Sequence, residues 1–239
     1  MIIKMLKKTE IIDFFTYDPM VYEFFKISNG SNFFPDWWKN IPNKLYIDGQ
    51  NTPSFEIPTM KKCPGLTELY KQSFVMPLWT DIDIQVKGRQ CITSVSDRMT
   101  KIDSHDKIQR GSYLNPDKYH HLKIITPWVA KTKSKINFLI SSCSFSNEAF
   151  IDSFFVPNGF RSFNISSSTN VHGFTRVDYD HNFTLESATP LIHLFPLTDK
   201  KVKVRCHLDK DEFQKISMTQ PDRFSFNGGY YKKKRLLNP

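Results

Sequence analysis

Three observations predict a mainly β, single-domain fold of the β-sandwich or jelly-roll kind, with short N-terminal helices packed outside. Between residues 74 and 208 the hydrophobic period is 2, the spacing of side chains on one face of a strand. About eight short strand candidates recur there, separated by Gly, Pro, Asn and Ser turns. No linker-like stretch divides the chain, so one domain is the simplest count. Within it, residues 1–73 read as an N-terminal strand and short helices on the core, 74–208 as the sandwich, and 209–239 as a last helix and a basic tail.

Ile11 to Tyr17 is short, β-branched and aromatic, which suits a strand. Asp18-Pro19 supplies an N-cap and a proline at the first helical position, and Val21, Phe24 and Phe25 follow at helical spacing, predicting a helix over 19–27. Asn29-Gly30-Ser31 breaks it, and Phe33 to Lys39 opens another helical turn that ends before Pro42. Gly49 to Pro58, with two prolines and a glycine, reads as a loop. Pro64 then starts a helix with Leu66 and Leu69 on one face.

Phe74 to Val86 reads as a strand in which Ile82, Ile84 and Val86 alternate with Asp81, Asp83 and Gln85. Lys87 to Gln90 forms the turn into a strand over 91–95, and a charged connector occupies 97–120. Further strands are expected at 122–131, 136–142, 151–156, 182–186, 191–197 and 202–208. In the last of these Val202, Val204, Cys206 and Leu208 alternate with Lys201, Lys203, Arg205 and His207, which places His207 on a solvent face. Asp209 to Phe213 opens a short helix, and Asn227 to Arg235 reads as a flexible basic and aromatic segment.

With 33 Lys and Arg against 24 Asp and Glu, the 239-residue chain carries a net charge of +9. Its 39% hydrophobic content, including 21 Phe, is that of a folding polypeptide. The apolar runs stop after a few residues, far short of the roughly 18 needed to span a bilayer, so a membrane partner is not expected. No apolar segment follows Lys4, Lys7 and Lys8, which argues against a secretory signal. Only three alanines occur while Lys, Asn, Ile and Phe abound, the bias of an AT-rich genome.

Chemistry-bearing patterns are few. Cys63, Cys91, Cys143 and Cys206 form neither a CxxC pair nor a zinc-spaced cluster, and are expected to be free, mostly buried thiols. Seven histidines invite a metal reading, yet there is no His-x-His and no His-x-Asp/Glu pair, and adjacent His120 and His121 point to opposite faces of a regular strand. An irregular metal site is conceivable from His172, Asp178, Asp180 and His181, although Asp178 and Asp180 also fit a solvated edge. His193 shares a strand face with Leu191 and Phe195 and is expected to be buried. Glycine-loop and nucleophile-elbow motifs are absent, so no cofactor and no catalytic residue are assigned.

Four segments, in combination, carry a resemblance. They are Pro35-Asp36-Trp37-Trp38-Lys39 with Cys63-Pro64-Gly65, Val75 to Ile82 (VMPLWTDI), Thr126 to Thr132 (TPWVAKT), and Ala188 to Leu197 (ATPLIHLFPL). Together they resemble an uncharacterised domain family of tailed bacteriophages, notably T4-like marine phages of cyanobacteria, and of some bacteria. The resemblance spans most of residues 35–208 and implies a phage source, but it brings no catalytic residues.

The leading expectation is a virion-associated structural or assembly protein acting through protein–protein contacts, located in the virion or the host cytoplasm. Its partners would be other phage proteins, with self-association an option. A second reading is a cupin-like small-ligand or metal-binding enzyme with a pocket lined by Trp79, Trp128 and His193. A third is a basic protein whose Lys232, Lys233, Lys234 and Arg235 contact nucleic acid or an acidic host factor.

Overall fold

The computed structural model describes residues 9–48, 54–97, 100–111, 113–147, 149–219 and 229–237. The chain runs through β1 (Glu10–Thr16), α1 (Pro19–Phe24), β2 (Ser28–Asn29), α2 (Asp36–Asn40), β3 (Lys44–Ile47), β4 (Phe55–Pro58), α3 (Pro64–Lys71), β5 (Phe74–Pro77), β6 (Ile82–Lys87), β7 (Gln90–Val95) and β8 (Lys101–Ser104). Next come β9 (Tyr119–Ile125), β10 (Val129–Lys131), β11 (Asn137–Ser142), α4 (Ala149–Asp152), β12 (Phe154–Phe155), β13 (Gly159–Ser162) and β14 (Val171–Arg176). The last elements are β15 (His181–Leu185), β16 (Pro190–Pro196), β17 (Val202–Leu208), α5 (Lys210–Met218) and α6 (Gly229–Leu237). Among the described residues no helix is long and apolar enough to cross a membrane.

The fold is mainly β and sandwich-like, with its strands distributed over five sheets: β10-β1-β17, β13-β11-β16-β5-β2, β12-β14-β9-β8, β15-β6-β7 and the hairpin β3-β4. Among the described pairings only β1 with β17 is parallel; the others are antiparallel. One hydrophobic cluster joins Ile12 and Phe14 of β1 to Ile82, Leu122, Phe138, Phe154 and Leu194 of the later strands. The largest fully buried side chains, Trp128, Tyr70, Phe14, Phe138 and Phe154, fill the interior with rings.

Local chemistry explains several boundaries. The Asp18 carboxylate accepts the backbone N–H of Met20 at 2.8 Å and of Val21 at 3.2 Å, and Pro19 pre-sets the first turn of α1. Gly88 and Arg89 both lie at positive φ, +54° and +66°, which closes β6 onto β7 in a two-residue turn of the type matched to strand twist. At Gly173 a Cβ would lie 2.1 Å from the Phe154 ring, so glycine lets that ring cross β14.

The structure departs from the sequence reading at named places. The boundary at residue 73 does not separate a wrapping from a core, because β1 lies between β10 and β17 with Ile12 and Phe14 buried. Phe55–Pro58, read as loop, pairs with Lys44–Ile47; the Phe-x-Ile alternation outweighs the flanking prolines. The connector holds β8 and a 3-10 turn at Lys107–Arg110. The strand expected over 74–86 breaks at Leu78, which bonds through both its backbone groups to Thr189 and Ala188 as the chain changes sheets. Pro127, lacking an N–H, splits the strand expected over 122–131. The 151–156 strand begins instead as the helical turn α4, and the stretch read as a flexible tail contains α6.

Candidate functional site

The three residues expected to line one pocket serve the core. Trp79 is buried, and its indole N–H donates to Thr100 Oγ1 at 2.7 Å, whose hydroxyl donates to Asp97 at 2.9 Å. Trp128 is 1% exposed. The two indoles line adjoining depressions of about 150 and 590 Å³ that share Ile125, Thr126 and Phe213 of α5. His193 is absent from both. It lies on β16, 1% exposed, with its Nδ1 paired to Ser73 Oγ at 2.9 Å and its ring edge-on to Tyr70. Burial pushes the His193 pKa down to about 4, so the ring is neutral. Trp79, Trp128 and His193 therefore do not converge on one pocket.

The metal quartet is likewise divided. Asp178 forms a two-pronged pair with Arg176, at 2.8 and 3.0 Å, which lowers its carboxyl pKa. Asp180 accepts the Gly88 N–H at 2.9 Å, and His181 Nδ1 lies 3.1 Å from the Tyr179 carbonyl oxygen. His172 belongs to another constellation.

That constellation comes from β-sheet register. On the outer face of the four-stranded sheet, His121 of β9 lies directly opposite Phe174, and His172 sits two residues along β14, opposite Lys123. The pairing of Ser104 with Leu122 continues to His105, whose N–H donates to the His121 carbonyl at 3.0 Å. Three neighbouring chain segments thus each raise one imidazole above β9. Ring centroids lie 4.4 Å apart for His105 and His121, and 5.2 Å for each pair with His172. One nitrogen from each ring lies within 4.8 Å of the others, the only such grouping of His, Cys, Asp or Glu among the described residues. His121 Nε2 and His172 Nδ1 are 3.1 Å apart. Burial, with His105, Lys123 and Arg161 nearby, lowers the His172 pKa to about 4. His120, on the opposite face as expected, bonds Ser104 Oγ at 2.9 Å.

His105 and His121 escaped the sequence reading because no spacing announces them. They are 16 positions apart, and His172 lies a further 51 away; only the β8–β9–β14 register brings them together. His207, expected on a solvent face, is half-buried, stacked on Phe15 at 4.8 Å and bonded to Asp13 at 2.8 Å. Burial raises the thiol pKa of Cys91 and Cys206 to about 11, and that of Cys143 as well, so these are poor nucleophiles. Cys63 is exposed.

Two surface features remain. Lys232, Lys234 and Arg235 are exposed on α6 and Lys233 is half-buried; consecutive positions spread them around the helix rather than along one stripe. Lys234 lines a depression of about 210 Å³ with Lys135 and Arg161. The other feature is the β3-β4 hairpin, which pairs with no further strand among the described residues. Its register sets Leu45 opposite Ile57 and Ile47 opposite Phe55, so four apolar side chains share one face. Leu45 is 46% exposed, Phe55 50%, and Tyr46, on the other face, 66%. Trp37 of α2 and Met60 in the 3-10 turn after β4 are also exposed, and Trp37 donates its indole N–H to the Phe145 carbonyl at 2.9 Å.

No family model and no curated protein matches the chain.

Proposed function

We propose that the chain is a structural or assembly protein of a phage particle, docked on another particle protein through the apolar face of the β3-β4 hairpin. The observation that carries this reading is the hairpin itself. A two-stranded ribbon is marginally stable in water, and this one leaves Leu45, Ile47 and Phe55 uncovered. Such a patch is what a partner surface covers. Charge selects the partner: two copies of a +9 chain repel, so the fitting surface is a different protein with an acidic rim around an apolar centre. The phage resemblance supports the setting; of the segments that carry it, Pro35 to Lys39 leads through α2 toward β3.

The test is mass spectrometry of particles purified from infected host cells, with the wild-type chain or the triple variant Leu45→Ser, Ile47→Ser, Phe55→Ser supplied. Stoichiometric wild-type chain in particles, with the variant folded but left in the soluble fraction, is the expected result. Absence of the wild-type chain from particles overturns the reading.

A further inference from the structure

We propose that His105, His121 and His172 form a binding site for one divalent transition-metal ion, with zinc the fitting choice. The site is independent of the docking surface, lying on β9, β14 and the end of β8.

Three features of the cluster point to a cation. The first is convergence, since imidazoles from three segments meet through nitrogens all within 4.8 Å of one another. Zinc–imidazole bonds of about 2.0–2.1 Å in a tetrahedron need nitrogens about 3.3 Å apart. His121 Nε2 and His172 Nδ1 share a hydrogen bond at 3.1 Å, so their spacing already suits the ion; on binding, the proton between them moves to the other nitrogen of the ring that carries it, and the remaining movement falls mainly on His105. The second is orientation. His105 Nδ1 lies 2.6 Å from Gln109 Oε1, and because that oxygen only accepts, the proton sits on Nδ1 and the lone pair on Nε2. A ligating histidine typically holds its other N–H in this way, which fixes the tautomer and raises the basicity of the donor nitrogen. The third is that His105 Nε2 is buried and has no hydrogen-bond partner. A buried acceptor left unmade costs stability, and a cation facing that lone pair removes the cost.

The ligand type decides the class of ion. Three neutral imidazoles without a carboxylate suit zinc, copper or nickel and are poor ligands for magnesium or calcium. Lys123 and Arg161 near His172 oppose a cation and set the affinity below that of a site with a carboxylate ligand. Three protein ligands leave one tetrahedral position, and the cluster borders an open depression lined by His105, His121, Asp106 and Lys107, so water or a small anion completes the shell.

The experiment uses untagged, chelator-treated full-length chain titrated with cobalt(II) as a spectroscopic probe and with zinc in competition. The expected result is the intense visible absorption of tetrahedral cobalt, saturating at one ion per chain and displaced by zinc. His105→Ala and His172→Ala lose that spectrum, whereas His181→Ala keeps it. Gln109→Leu, at an exposed position, weakens affinity by about 10- to 100-fold, and decides the matter should a histidine variant fail to fold. A featureless cobalt titration of the wild-type chain, or unaltered binding in the folded His105→Ala, His172→Ala or Gln109→Leu chains, overturns the site.

Discussion

The sheet β13-β11-β16-β5-β2 and the hairpin β3-β4 draw on the same alphabet of β-branched, aromatic and leucine residues, yet they end in opposite environments. In the sheet, all four residues of β5 and Leu191 to Leu194 of β16 are buried. In the hairpin, seven of eight residues are exposed. The difference lies in what stands across from each face. Side chains of β5 and β16 meet α3 and the opposing sheets, as where Tyr70 abuts His193, whereas the hairpin has no second layer among the described residues. Strand pattern encodes a face to be covered, and the covering element can belong to another molecule.

Substitutions can break this comparison, beginning with the largest expected effect. Phe138→Ala, at a fully buried ring between Phe163 and β16, is expected to lower unfolding free energy by about 3–5 kcal/mol in urea titrations. A loss under 1 kcal/mol, far below that range, would show that the sheet interior is as loosely covered as the hairpin.

Acid should act on the sheet interior through His193. Its folded pKa is about 4 against an ordinary 6.5, so between those values the unfolded chain binds a proton that the folded chain refuses. Stability from this group is therefore complete above pH 6.5 and falls as pH drops to about 4, by about 3 kcal/mol in all. The difference between wild type and His193→Gln across that pH window isolates the contribution, and parallel curves would exclude it.

Gly173→Ala tests close approach within the core. The new methyl would press on the buried Phe154 ring, and a cost of about 1–3 kcal/mol is expected by thermal unfolding. An unchanged melting temperature would mean that the ring has room to move. The smallest effect sharpens the contrast: Phe55→Ser in the hairpin should lower stability by about 1 kcal/mol, far less than Phe138→Ala, because half of its ring already lies in water. Strong destabilisation there would indicate a covered hairpin and remove the support for docking through it.

Where chemistry is local, the elements were legible. Asp18-Pro19 and Cys63-Pro64 marked helix starts, and Ile82-Asp-Ile-Gln-Val86 announced a strand that is alternately buried and exposed. Misreadings fell where local signals conflict. Pro58 concealed a strand rich in β-formers, Gly159 and Gly173 obscured β13 and β14, and four consecutive basic residues concealed a helix. The site residues were harder still. His193 was recognisable as buried, but Trp79, Trp128 and His193 were grouped in one pocket that they do not share, and His172 was matched with the wrong neighbours.

The sequence by itself determined the mainly β class, the turn that closes β6 on β7, the cap of α1 and the supply of rings for a filled core, because each depends on the conformational preferences and polarity of adjacent residues. Only the tertiary structure decided that β1 inserts beside β17, that the hairpin stands uncovered, and that His105, His121 and His172 meet above β9. Those outcomes depend on strand partner and register, set by the joint packing of segments far apart in the chain, and a one-residue slip would turn the histidines to the other face.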